Sequence, residues 1–429
     1  MSDQLFQFQP LSDVAMAIKD GTHGTHIRVA NGVPFLSAKN ISANGTIEWD
    51  SSDDRITESE YFQLNKSFPL EAGDVLLTIV GSLGRRAIYS GERVTFQRSV
   101  AYVRPNPKKV ESRFLFHWMG HPKFFAELQR RSNATAQAGL YLGELGKVSV
   151  PVVSRDKQEK IAQILDTLDT AMRETEAIIK KLNAVKQGLR HDLLTRGIDS
   201  NGELRPPQSE APQLYKDSPL GWIPKEWDIG TTESYLNRII DYRGKTPEKT
   251  ESGIPLITAR NVRLGYIDSE PCEFIAHEDF DRWMTRGIPQ KGDILFTTEA
   301  PLGNLAQIET DNRLAFAQRI IILQAGPRII NTFLKYFMLG QMFRSRLFAL
   351  GSGSTVEGIQ QSTFRRLLIT VPKSLTEQEI IIQKLTEMDS KINSESKYAA
   401  KLKQTKSGLM NDLLTGHVRV TPLLETTTP

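Results

Sequence analysis

The sequence predicts an α+β protein in which two similar domains are separated by a long antiparallel two-helix coiled coil, a tandem repeat with pseudo-two-fold symmetry. Three observations lead there. The chain repeats itself at one long offset. Each repeat opens with short β-like runs punctuated by glycine turns. Each then closes on an apolar stripe whose steps of three and four residues continue for about 40 residues, as in a coiled coil.

The repeat comes first because it organises every other element. With 429 residues the chain exceeds one ordinary core, and two or three domains are expected. "GVPFLSAKNI" (Gly32 to Ile41) returns 221 residues later as "GIPLITARNV" (Gly253 to Val262). Asp20 matches Asp241, and "GDVLLT" (Gly73 to Thr78) matches "GDILFT" (Gly292 to Thr297). Gln97-Arg98 matches Gln318-Arg319, Pro151 is set against Pro372, and "KQGLRHDLLT" (Lys186 to Thr195) matches "KSGLMNDLLT" (Lys406 to Thr415). Repeats this long are whole domains, not solenoid units.

Within each copy, runs such as "DVLLTIV" and "RSVAYVR", or "DILFTT" and "QRIIILQ", read as strands. "FLFHWMGHPKFFAELQ" and "FLKYFMLGQMFRSRLFAL" carry apolar residues at helical spacing. Many strands with few helices favour α+β over a regular βαβ alternation. The first long stripe is Ile161, Leu165, Leu168, Met172, Thr175, Ile179, Leu182, Val185, Leu189 and Leu193. The second is Ile381, Leu385, Met388, Ile392, Glu395, Ala399, Leu402, Thr405, Leu409 and Leu413. Thr175 and Glu395 interrupt the seams and are candidates for setting register. Asp156 and Thr376 stand near the expected helix starts, with Glu159 and Glu379 three residues on.

A narrow apolar stripe needs a partner, and the simplest partner for each helix is the other. If one helix leads the chain away from the first domain, the second must bring it back, so the pair is expected to be antiparallel and on the order of 60 Å long. The expected boundaries are 1–152 for the first domain, 153–197 for its helix and 198–228 for a Pro-rich linker. The second domain is then 229–373, its helix 374–417 and the tail 418–429.

Composition narrows the class. The chain is 39% hydrophobic and 24% charged, and no apolar run is long enough to span a bilayer, so no membrane association is expected. "MSDQLFQFQP" lacks the basic and apolar regions of a signal peptide, and Cys272 is the single cysteine; a cytoplasmic protein is expected. A net charge of +4 is compatible with nucleic acid without arguing for it alone.

Catalytic signatures are missing. "GKT" at Gly244 to Thr246 lacks the earlier P-loop glycine, since Ile239 stands in its place. "GSGST" (Gly351 to Thr355) reads as a loop. His117 and His121 lie four apart on an apparent helix, but no third ligand stands near and no metal site is expected. The acids of "HEDFD" from His277 read as a solvated loop, and Cys272 has no nucleophile signature. No Asn/Asp-Pro-Pro-Tyr/Phe methyltransferase motif is present. A duplicated chain without a catalytic constellation reads as a binder or a scaffold.

Several segments together resemble the DNA specificity subunits of type I restriction-modification systems. They are "DYRGKTP" (Asp241 to Pro247) followed by "GIPLITARNV", the two "GD[VI]L" strands, "GSGSTVEGIQQSTFRRLLITVP" (Gly351 to Pro372), "QEKIAQILDTLD", "KQGLRHDLLTRG" and "SPLGWIPKEW" (Ser218 to Trp227). The likeness covers nearly the whole chain. It departs at the start, where no "GWIPKEW"-like segment precedes the first domain. The resemblance implies two target-recognition domains, each reading half of a bipartite, asymmetric double-stranded DNA site. The helix pair would measure the spacer and dock two modification (methyltransferase) subunits, which use S-adenosylmethionine to methylate adenine. Restriction/translocase subunits, using ATP and Mg, would join them. No cofactor is expected on this chain, and no catalysis. A coiled-coil adaptor without specific DNA readout is the rival reading.

Positions shared by both copies, such as Pro34/Pro255, Asn40/Asn261 and Gly73/Gly292, read as scaffold, because readers of different half-sites should differ. "SLGRRA" against "PLGNLA" is such a difference, placing Arg85 and Arg86 opposite Asn304 and Leu305. Arginine suits guanine and asparagine suits adenine, although contacts to phosphate are at least as common. Lys39, Arg260, Arg263, Arg243 and Lys245 are further loop-adjacent candidates for DNA contact. Arg98 and Arg319 recur in both copies and read equally as internal ion-pair partners, while Lys180 and Lys181 are exposed cations available to a partner.

Overall fold

The structure is a computed structural model that describes residues 6–67, 69–132, 139–242, 247–351 and 358–425. It divides into two compact units, Met1–Ala177 with Lys397–Pro429, and Ile178–Ser396. Each unit holds one β-rich domain and a part of both long helices.

In the first unit a four-stranded antiparallel sheet runs, in spatial order, Ala15–Asp20, Val100–Pro105, Val75–Thr78 and Arg86–Ile88. A three-stranded sheet joins Arg55–Ile56, Val33–Leu36 and Thr95–Phe96, the last two being parallel. The reason "VLLT" is apolar without alternation lies in what its two faces meet. Val75 and Leu77 enter the core shared with Phe114, Leu115 and Phe124, whereas Leu76 enters the core of Leu36, Phe96 and Tyr102. A strand buried on both faces cannot alternate polar with apolar.

The second unit repeats this arrangement. Leu236–Asp241, Ile320–Ala325, Ile294–Thr297 and Leu305–Gln307 form the larger sheet; Phe274–Ile275, Ile254–Ile257 and Ala315–Phe316 form the smaller. Ile294 and Phe296 face the helices, and Leu295 faces the other way. Mixed strands and helices without βαβ alternation make each domain α+β.

The long helices span Arg155–Thr195 and Leu375–Thr415. In the first unit Ile161, Ala162 and Leu165 share a core with Met410, Leu413 and Leu414, so the two helices run antiparallel there. In the second unit Leu193 and Leu194 share a core with Ile381 and Leu385, again antiparallel. Along the seams Leu402 is also buried, and Leu168, Met172, Ile179, Leu182, Leu189, Met388, Ile392 and Leu409 are half-buried.

Three local expectations are corrected. Val185 and Thr405 are exposed, and Lys186 and Lys406 turn inward in their place. Asp156 and Thr376 do stand near the helix starts, one residue inside each; Ser374 Oγ accepts from the Glu377 amide at 3.3 Å. The first domain does have an entry strand: Gln7–Pro10 pairs antiparallel with Ser149–Val152, as Trp227–Thr231 pairs with Leu368–Pro372. That strand was hidden because its "QFQP" shares only its pairing, not its residues, with "WDIGT". The pairing registers set Pro10 beside Ser149 and Thr231 beside Leu368, so Pro372 corresponds to Val153 and not to Pro151.

The linker is held in the second unit. Arg205, 5% exposed, donates to both oxygens of buried Glu377 at 2.6 and 3.2 Å. The same carboxylate accepts from Trp227 Nε1 and the Ile198 amide, each at 3.0 Å. Tyr215–Lys216 and Ile223–Pro224 close a small hairpin against this cluster.

Candidate nucleic-acid interface

The loops that differ between copies are mounted on parts that do not. Asn40 Oδ1 accepts from the Ser37 amide and hydroxyl, while its Nδ2 donates to the Glu48 carbonyl. Asn261 does the same with Thr258 and the Asp268 carbonyl. Both asparagines are 2% exposed, so they brace turns and face no solvent. Fully buried Thr78 and Thr297 fasten the next loop, each hydroxyl accepting at 2.9 Å from the amide of Arg85 or Asn304. A buried polar group finds its partner in the fold, and here that rule repeats a loop scaffold.

On that scaffold the candidate readers separate. Arg85 is exposed, its guanidinium reaching the Ile41 carbonyl at 3.4 Å. Asn304 sends its amide to the equivalent Val262 carbonyl at 2.9 Å and is half-buried. Arg86 turns inward. Its Nε donates to the Phe116 carbonyl at 2.7 Å, its guanidinium lies over the Phe116 ring at 4.7 Å, and burial pushes its pKa down to about 10. The neighbouring sequence positions Arg85 and Arg86 therefore point to opposite environments, as alternation along the start of strand Arg86–Ile88 requires.

The other candidate cations are exposed and already paired. Lys39 meets Asp53 at 2.8 Å, Arg260 meets Glu273 at 2.7 Å and Arg263 meets Asp268 at 3.2 Å. Arg319 pairs with Glu299 at 3.1 Å, whereas Arg98 is exposed. Arg243 and Lys245, the "GKT" segment from 244 to 246, and 352–355 of the Gly-Ser cluster lie outside the described residues.

Each domain is docked on the helices by groups that the sequence repeat contains but that apolar periodicity cannot single out. Gln158, 1% exposed, accepts from the Glu111 amide and donates to the Lys109 and Val153 carbonyls. Gln378, 0% exposed, repeats all three bonds with the Ile330 amide and the Arg328 and Pro372 carbonyls. Lys406 pairs with Asp169 in the first unit, and Lys186 pairs with Asp389 in the second, with the two helices exchanging roles. Recurrence of a buried-side glutamine and of a Lys and an Asp at one offset is the signal that could have found them.

His117 and His121 do not share a helix. His117 belongs to Ser112–Met119, and His121 caps Pro122–Arg131, where it accepts from the Lys123 amide and stacks on Trp118. Fully buried His117 bonds Asp166 at 2.8 Å, beside Arg113 on the same carboxylate. Burial lowers the His117 pKa; the Asp166 carboxyl, which burial would raise, is held low by His117 and Arg113. In the second unit Tyr336 takes the place of His117; its hydroxyl lies 3.3 Å from Thr386, the counterpart of Asp166, and donates to Asp389 at 2.7 Å. Among the described residues no group of three or more His, Cys, Asp or Glu could hold a metal ion. Nor is any described helix long and apolar enough to cross a membrane.

A family profile described as "Type I restriction modification DNA specificity domain" matches residues 5–184 and 244–404. A putative type I restriction enzyme specificity subunit of Methanocaldococcus jannaschii, MjaX, is 24% identical over 97% of this chain and 94% of its own length. The MjaVIII specificity subunit of the same organism is 24% identical over 83% of this chain and 81% of its own length. Among solved structures, the S subunit of a type I restriction-modification system from M. genitalium superposes with a TM-score of 0.60 at 13% identity. It covers 96% of this chain and 97% of that one, so the fold is shared end to end.

Proposed function

Because the chain belongs to the family of type I restriction-modification DNA specificity proteins, we propose that it reads a bipartite, asymmetric DNA site and directs adenine methylation and restriction by partner subunits. The observation that carries this reading is the duplicated frame with unlike loops: Asn40/Asn261 and Thr78/Thr297 hold equivalent turns that present Arg85 in one copy and Asn304 in the other. A shared frame gives two modules the same approach to a duplex, and unlike side chains give them different half-sites. Arg85 is the stronger candidate for a base contact; the inward bonds of Arg86 and Asn304 favour loop support. Lys39, Arg260, Arg263, Arg243 and Lys245 remain candidates for phosphate contact.

This chain contributes positioning and no chemistry of its own. Two methyltransferase subunits, using S-adenosylmethionine, dock on the helix pair, and restriction subunits using ATP and Mg complete the assembly. Adenine must leave the stack to be methylated, so the duplex has to be held while the partners flip the base. The helix pair sets the spacing between the two readers, which suits half-sites on one face of B-DNA recurring roughly every 34 Å. A cytoplasmic location follows from that role.

The test is co-expression with the cognate methyltransferase subunits in a methylation-free host, followed by mapping of modified adenines. One split motif is expected, and replacing 11–150 with another first domain should change only one half of it. Scattered modification, or a single continuous short motif, would contradict two-module reading and favour a mere adaptor.

A further inference from the structure

The second unit contains a cleft of about 1000 Å³ between its β-rich domain and its stretch of the long helices. Four cations line it, Lys186 and Arg190 from the first long helix and Lys335 and Arg344 from the helices Asn331–Leu339 and Gln341–Gly351. Only two carboxylates, Glu309 and Asp389, face them. Asp389 is already held by Lys186 and by the Tyr336 hydroxyl. Arg190 and Lys335 have no hydrogen bond or ion pair among the described residues, and Lys335 lies over the Tyr336 ring at 4.9 Å. Arg344 gives one N–H to the Gly303 carbonyl at 2.8 Å. All three are half-buried, and desolvation lowers their pKa values. Partly desolvated cations that outnumber the carboxylates facing them gain when an anion enters.

Comparison of the two copies shows that docking does not require these charges. The glutamine bonds to the Glu111 and Ile330 amides align the following helices residue by residue. Phe116 then occupies the place of Lys335, Phe125 that of Arg344, and, on the long helices, Met410 that of Arg190. Phe116 closes against Gly45, where a Cβ would come within 2.6 Å of its ring, whereas a Cβ on Gly265, at the same turn in the second copy, would meet only Leu339, at 3.8 Å. Phe125 packs on Gly84 where Arg344 bonds Gly303. One copy fills the space with Phe116, Phe125, Met410 and the inward Arg86, whose guanidinium is held on the Phe116 carbonyl and ring; the other leaves it open and lines it with charge.

We propose that this cleft grips the phosphodiester backbone of DNA, giving the second unit a salt-dependent hold on the duplex that the first lacks. The proposal rests on the family reading above. DNA is favoured over other anions because the cleft adjoins the loop where the copies diverge: Arg344 bonds Gly303, and Gly265 at the rim bonds the Leu305 carbonyl. A strand read at that loop continues past the cleft, and successive phosphates meet Arg190, Lys335 and Arg344. These contacts carry affinity and no sequence information.

The experiment uses the full chain assembled with its methyltransferase subunits and a duplex bearing the motif found by methylation mapping. Binding is measured as a function of KCl between about 50 and 200 mM. The variant Arg190→Met, Lys335→Phe, Arg344→Phe transplants the first copy's residues. Its salt slope is expected to fall by about 0.9 per lost phosphate contact, roughly 2.7 in all, with the methylated motif unchanged. Arg190→Gln with Lys335→Gln, which spares the Gly303 bond, keeps the test valid if the triple variant does not fold; a fall of about 1.8 is expected. An unchanged slope in a folded, assembled variant overturns the proposal. So does loss of methyltransferase assembly, which makes the cleft a protein dock. If the unaltered complex shows no site-restricted methylation, the family reading itself fails; normal methylation with an unchanged variant slope removes the cleft alone.

Discussion

Glu377 offers the sharpest test of how the second unit is built. Its carboxylate, 8% exposed, is the common acceptor for Arg205, Trp227 Nε1 and the Ile198 amide. Glu377→Ala leaves Arg205 with the Arg196 carbonyl at 3.1 Å and one carboxylate, that of Glu226, whose side chain is 72% exposed. A solvated partner of that kind recovers at most about 1 kcal/mol. Breaking a buried pair by removing one member costs about 3–5 kcal/mol, and each orphaned N–H about 1–3 kcal/mol more, not additively. A loss of about 4 kcal/mol in the second unit is therefore expected. At about 2–4 °C per kcal/mol for a unit of this size, that lowers its melting temperature by on the order of 10 °C. Calorimetry of the full chain measures the shift, and hydrogen exchange across 198–227 locates it. A shift below about 2 °C, or exchange unchanged over that segment, would show that the cluster is not what holds the linker. Arg205→Leu with Glu377→Leu should recover the part of the loss due to the stranded charge, while Trp227 Nε1 and the Ile198 amide stay without their acceptor.

Three further outcomes are expected. Because His117 titrates below the ordinary imidazole value, the folded state binds fewer protons than the unfolded one; its contribution is present above about pH 6.5 and is lost as pH falls through the folded pKa. His117→Tyr, the residue its counterpart Tyr336 already is, should flatten that pH dependence in urea titrations between about pH 7 and 5; an unaltered profile would locate the acid sensitivity elsewhere. Arg85→Ala should relax the methylation motif at one position, a change of about 1–3 kcal/mol for a bidentate base contact, whereas Arg86→Leu should leave the motif intact and lower the melting temperature. Inserting matched helical turns into the two long helices, near 177 and 397, should lengthen the unread spacer while both half-sites persist; altered half-sites would refute the ruler.

Much of the fold was legible because it rests on local, repeated physics. Val75 to Leu77 and Ile294 to Phe296 are continuous apolar strands, and the stripes from Ile161 and Ile381 have coiled-coil spacing. Apolar periodicity failed where charge decided the packing. Val185 and Thr405 fit the stripe, yet Lys186 and Lys406 turn inward because Asp389 and Asp169 wait opposite them. The entry strand Gln7–Pro10 escaped notice because backbone pairing, which any residues can satisfy, defines it.

The candidate site was less legible. Comparing the copies located the loop at Arg85 and Asn304, but adjacency in sequence could not tell Arg85 from Arg86, which differ in direction and burial. The sequence by itself determined the duplication, the α+β domains and the two long helices, because these follow from spacing within each segment. Only the tertiary structure decided that Gln158 and Gln378 clamp the domains, that Glu377 gathers the linker, and that one copy keeps a charged cleft where the other is filled. Those outcomes depend on which buried donor, acceptor or charge meets which partner across more than a hundred residues of chain, as between Arg205 and Glu377, and no local pattern encodes that meeting.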